Sequence, residues 1–169
     1  MTRQGRREST RNRFLDVADT HRTIILRAVI IGSMHNKMLI RNVNKARQCA
    51  DYSGLAFGNI YPTDVDGYIE YKNIACVLYE LKYRDAIMPK GQQIALERMV
   101  DNARTAGKDA VLFLCSHDAP EEDAIDVANA AVKQIYYCGK WHPADGETAK
   151  YWTEKFLRWS EKKHLGWMR

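Results

Sequence analysis

The stretch Pro62–Tyr83, PTDVDGYIEYKNIACVLYELKY, carries an aspartate, a glutamate and a lysine at spacings that can do chemistry. Glu80 and Lys82 are two residues apart, so on a β-strand they project from one face, together with Cys76 and Leu78. Ala75, Val77, Tyr79 and Leu81 take the other face. An acid and a base at the end of an otherwise apolar strand are not needed there to solvate a surface. A hairpin turning at Lys72-Asn73 brings Asp66 back opposite roughly Tyr79–Glu80. Two carboxylates and an ammonium then converge at one edge of a sheet, which is costly unless a cation or hydrogen bonds compensate. Mg²⁺ (or Mn²⁺) held by Asp66 and Glu80 would supply that compensation. Such an ion lowers the pKa of a water and stabilises charge on a phosphoryl oxygen. Lys82 could orient or help deprotonate the attacking water, or meet the phosphate. The reaction implied is phosphodiester hydrolysis. Asp64 points the same way as Asp66 if the strand has begun by then; it is either a second ligand or a loop cap.

The elements that must position these groups follow from periodicity and breakers. Ile40–Tyr52 has helical spacing, and Ser53–Thr63, with Gly54, Gly58, Asn59 and Pro62, reads as a loop. Tyr68–Tyr71 and Ile74–Tyr83 are expected to be the strands of the hairpin. Pro89 suits a helix start and Gly107 a helix end, with Ile94, Leu96, Met99, Val100 and Ala103 recurring between them. Ala110–Cys115 reads as a buried strand, and His117–Asp123 as an acidic loop. Ile125–Cys138 is ambiguous; Val132–Tyr137 tips it toward strand, and Gly139 makes a break. Glu147–Lys162 is expected to be an amphipathic helix with Tyr151, Trp152, Phe156 and Trp159 near one face. The predicted fold class is α/β, a central mixed β-sheet of four or five strands flanked by helices.

The remaining composition bounds the partners. With 169 residues the chain fits a domain at 38–169 behind a basic extension at 1–37, which has Arg at positions 3, 6, 7, 11 and 13. A net charge of +5 suits a polyanion such as nucleic acid. The apolar stretch Thr23–Gly32 is too short to span a bilayer and carries Arg27, so no membrane partner is expected. Cys49, Cys76, Cys115 and Cys138 are too scattered for a zinc site and read as reduced thiols of a cytoplasmic, intracellular protein. His35, His117, His142 and His164 have no metal-ligand spacing. No GxSxG, Walker or GxGxxG motif supports a serine hydrolase, P-loop or dinucleotide reading.

Asp66…Glu80-Leu81-Lys82, with its Asp–hairpin–ExK layout, matches the signature of PD-(D/E)xK nucleases. The stretch resembles those of archaeal Holliday-junction resolvases and similar phage or prokaryotic nucleases. The following helix, with Gln92 and Gln93 near its start, is similar too. The resemblance covers about residues 40–115. It implies a restriction-endonuclease-like fold and a metal-dependent endonuclease, bacterial or phage-encoded, acting on nucleic acid with DNA as the first expectation. It further implies metal ligation by Asp66, Glu80 and the Leu81 carbonyl, a catalytic Lys82, and in many such proteins a homodimer. Gln93 would assist at the water or a phosphate, while Gln92 reads as a solvated first-turn residue. The family often adds an acid on the preceding helix. Here Asp51 is the only acid on that helix and no Glu lies between Thr23 and Ile69, which leaves one metal or two open. Two rivals stand beside this reading. One is a catalytically silent nucleic-acid-binding protein of the same fold. The other is an interaction protein with an accidental ELK triplet, which predicts Glu80 and Lys82 exposed and far from Asp66.

Overall fold

A computed structural model describes residues 52–120 and 123–166. The basic extension 1–37, the apolar stretch Thr23–Gly32 and the expected helix from Ile40 to Asp51 lie outside the described residues. The described chain divides after Pro62 into two units. In residues 52–62 a 3-10 turn, Ser53–Leu55, precedes a bridge between Phe57 and Ile60 that closes over Gly58 at a φ of +60°.

From Thr63 onward the chain builds a five-stranded sheet whose spatial order repeats the sequence order. The strands are β1 (Gly67–Tyr71), β2 (Ala75–Tyr83), β3 (Asp109–His117), β4 (Ala131–Tyr137) and β5 (Lys140–Pro143), with helices α1 (Lys90–Thr105) and α2 (Ala149–Leu165). Only β2 and β3 pair in parallel; the other three pairings are antiparallel, so the sheet is mixed. A parallel pair needs a crossover, and α1 provides it. The strands are joined by three residues, 72–74; Lys72 and Asn73 both take positive φ, 50° and 58°, and the Ile74 N–H donates to the Tyr71 carbonyl at 3.0 Å. The Glu70 carboxylate accepts the Asn73 N–H at 2.7 Å and helps hold that turn.

Alternation along β2 sorts its side chains between two helices. Cys76 and Leu78 share a core with Leu96 and Val100 of α1, joined by Ala110, Leu112 and Tyr136. On the opposite face Tyr79 meets Thr153 of α2 at 2.6 Å, and Tyr137 packs edge-on against Phe156. The unit is therefore an α/β fold with one helix on each face of the sheet.

Some expectations shift by a few residues. Helix α2 begins after Thr148, whose hydroxyl accepts the Tyr151 N–H at 3.2 Å. Its buried side chains are Ala149, Trp152, Phe156 and Ser160, while Tyr151 is exposed. In α1, Met99 likewise faces out. The alanine-rich segment before β4 forms only a 3-10 turn at Val127–Asn129. The break expected at Gly139 is a second tight hairpin turn, with Cys138 and Gly139 at φ 54° and 75°, and it leads into β5. Four residues ending in proline give β5 no readable period, and proline suits an edge strand. Among the described residues no helix is long and apolar enough to cross a membrane.

Candidate active site

Asp66, Glu80 and Lys82 are brought together by the register of one hairpin. Gly67 pairs with Tyr79, so continuing the ladder by one residue sets Asp66 across from Glu80. Paired residues share a sheet face, so Asp66 is placed on the same side as Glu80 and Lys82. Gly67 permits the close approach: a Cβ there would lie 3.0 Å from Tyr79 Cδ2, a ring already packed against Phe113 and bonded to Thr153. The Leu81 N–H donates to Asp66 Oδ2 at 2.7 Å. A residue's N–H and C=O leave a strand on the same edge, so the Leu81 carbonyl also faces the edge beside Asp66, just before β1 begins.

Glu80 is fully buried, 0 % exposed. Its Oε1 is ion-paired with Lys82 Nζ at 2.5 Å, and no second donor reaches that oxygen among the described residues. Its Oε2 accepts from Gln92 Nε2 at 2.9 Å, and Gln92 Oε1 accepts from Lys82 Nζ at 3.2 Å. Burial pushes the Glu80 carboxyl above the usual glutamate range; Lys82 pulls it down, while the charges of Asp66 and Asp64 push it further up. A carboxylate held in this way gains from any added positive charge. Asp64 is exposed and is felt at Glu80 only as charge.

The two glutamines trade the places expected of them. Because α1 starts at Lys90, Gln92 faces the sheet and ties Glu80 to Lys82. Gln93, one residue and about 100° round the helix, is not brought to the carboxylates. It donates to Glu97 at 2.6 Å and accepts from Lys90 at 3.4 Å. Gln93 instead lines an open cleft of about 610 Å³ that begins at Lys82 and runs over the C-terminal ends of β2 and β3 toward β4 and Trp141.

No protein-family model, curated protein or solved structure matches this chain.

The chemistry of the site therefore rests on its own donors. Among the described residues no group of three or more His, Cys, Asp or Glu side chains is arranged to hold a metal ion. Mg²⁺ asks for less, since one or two carboxylates suffice when waters and phosphate oxygens complete the shell. Asp66, Glu80 and the Leu81 carbonyl are hard oxygen donors of that kind, and their chemistry fits such an ion, with Lys82 beside Glu80 Oε1. The geometry departs from what an accidental ELK triplet predicts, because Glu80 is buried and the backbone at Leu81 is bonded to Asp66. Sequence reasoning missed the Gln92 bridge, and also Arg84, Lys133 and Trp141 in the cleft. Alternation and turn counting do not reach across to β4 and β5.

Proposed function

We propose that the protein is a metal-dependent endonuclease that hydrolyses phosphodiester bonds in nucleic acid, DNA first, on a restriction-endonuclease-like sheet. The observation that carries this reading is the Asp66–Glu80–Lys82 cluster, in which a fully buried Glu80 is paired with Lys82 and Asp66 is bonded to the backbone between them. Asp66, Glu80 and the Leu81 carbonyl would hold Mg²⁺ or Mn²⁺, with Asp64 adding charge nearby. The ion, when bound, supplies a more acidic water and positive charge for a phosphoryl oxygen.

The chain's own residues do the rest. Glu80 presents Oε1 because Gln92 engages Oε2. Lys82, one-fifth exposed, holds its ammonium between the buried carboxylate and the cleft, where it can meet the scissile phosphate or orient the attacking water. Gln93 lines the same cleft and is the candidate for a supporting phosphate contact. Many nucleases of the kind the motif resembles cut two strands as dimers, so a homodimer belongs to the proposal. So does a reducing, cytoplasmic setting, in which buried free thiols such as Cys76 and Cys115 stay reduced.

The test is cleavage of labelled duplex, branched and single-stranded DNA, and of RNA, by the full chain with Mg²⁺, Mn²⁺ or EDTA. Cutting is expected only with metal, and Glu80→Ala should lower it on the order of 10³-fold. No cleavage of any substrate in either metal, or an equally fast Glu80→Ala variant, overturns the reading.

A further inference from the structure

Two cations beyond Lys82 line the cleft, Arg84 and Lys133, and among the described residues neither has an ion-pair partner. Other described cations, such as Lys90, Arg98, Lys140 and Lys162, also lack an ion pair; what singles out Arg84 and Lys133 is their place in the cleft and the backbone that aims them.

Both unpaired cations are aimed by irregular backbone. In the β3–β4 ladder Leu114 pairs with Gln134 and Cys115 with Val132, so Lys133 is the extra residue of a β-bulge. A bulge re-aims a side chain. Here consecutive residues, Lys133 and Gln134, both line the cleft, where regular alternation would send one to each face. Arg84 takes a left-handed φ of 51°, unfavourable for a residue with a side chain. It is held there because its N–H donates to the His117 carbonyl and its own carbonyl accepts from Ser116 Oγ, both at 2.7 Å. Its guanidinium lies 4.8 Å from the centre of the Tyr83 ring, which restricts it before any ligand arrives.

The neighbouring hollow sharpens the choice of ligand. Three cations face one carboxylate, Asp85, in the cleft. The adjoining hollow of about 690 Å³ shares Arg84, Lys133 and Asp85 but adds Asp118, Asp123 and Asp126. A polyanionic strand is favoured in the first and repelled from the second.

We propose that Arg84 and Lys133 grip successive backbone phosphates of the nucleic-acid strand that leaves the Asp66–Glu80–Lys82 centre, so that the strand runs along the cleft toward Trp141. This rests on the nuclease reading for its direction, but its test does not need cleavage. Binding of fluorescent single-stranded, duplex and branched oligonucleotides to the full chain is measured in EDTA across a salt series. Arg84→Gln/Lys133→Gln should bind on the order of tenfold or more weakly, and its log K against log salt slope should flatten by about 1.4 to 1.8. Asp123→Asn/Asp126→Asn should not weaken binding, and circular dichroism should show both variants folded. A charge-reversed Lys133→Glu variant should be weaker still. Unchanged affinity and slope in the folded Arg84/Lys133 variant overturn the track, whether or not the wild type cuts DNA. A weakened variant of a protein that cuts nothing in Mg²⁺ keeps the track and removes the nuclease reading.

Discussion

The two ends of the β2–β3 pair each carry a buried acid, and they treat it in opposite ways. At the N-terminal end Asp109 is 3 % exposed. One oxygen accepts from Ser160 at 2.8 Å and lies 3.2 Å from His164 Nε2; the other is 2.5 Å from Lys163. These partners sit on the last turns of α2, where cations also complement the helix dipole. Beside them Glu161 accepts from Tyr71 and Lys72. At the C-terminal end Glu80 is no less buried but is met by fewer groups, Gln92 at one oxygen and Lys82 at the other, and two cations nearby lack an ion pair among the described residues. Saturation of a buried carboxylate serves the scaffold, because it fastens α2 to the sheet. The sparser set of partners around Glu80 is what the proposed metal site would build on.

Substitutions at the two acids should break the comparison most visibly. Glu80→Gln is expected to abolish cleavage while leaving the metal-free melting temperature at neutral pH unchanged or higher. Asp109→Ala is expected to do the reverse. It strands Ser160, Lys163 and His164 and costs about 2–4 kcal/mol, yet the fraction still folded should cut at the wild-type rate. Paired thermal melts and cleavage rates read this directly, and a Glu80→Gln protein far less stable than wild type would contradict it.

The next effect concerns pH. Glu80 has a folded pKa raised above the ordinary 4.5, mainly by desolvation. The folded state then holds the proton more tightly than the unfolded state. Its stabilising contribution is full below about 4.5 and is lost as pH rises through the raised value. Metal-free wild type should therefore lose stability relative to Glu80→Gln over that interval. Mg²⁺, which needs the ionised acid, should raise the wild-type melting temperature more at neutral than at acid pH. An Mg²⁺ shift of equal size at both pH values would count against the site.

The smallest effect distinguishes the two glutamines. Gln92→Ala should lower cleavage about 10- to 100-fold and move its acid pH limb, since it orients the ligand carboxylate. Gln93→Ala should change the rate less and leave that limb in place. Parallel pH–rate profiles of the two variants decide between them.

These contrasts mark what the sequence makes legible. Counting back from Lys72-Asn73 places Asp66 opposite Tyr79–Glu80 to within one residue; the choice of Glu80 depends on the turn holding three residues, 72–74, which the sequence does not announce. Strict alternation places Glu80 with Lys82 and Leu78. The sheet class follows from the same reasoning, whereas β5 is too short and polar to announce itself. Choosing Gln92 over Gln93 needs the first residue of α1 to within one position, which propensity does not give. The Asp109 cluster joins residues more than fifty positions apart, and the bulge at Lys133 is set by how β4 pairs with β3. Neither leaves a local pattern in the chain.

The neighbour-by-neighbour strand order has a kinetic consequence. Each strand docks against the one made just before it; the two hairpin closures are short, while the helical crossover and the 118–130 connection span longer separations. The ribbon that unites Asp66 with Glu80 depends on the most local pairing of all. It can assemble while later strands are still emerging during synthesis, and the lysine on β4 joins it only once the third and fourth strands have zipped together.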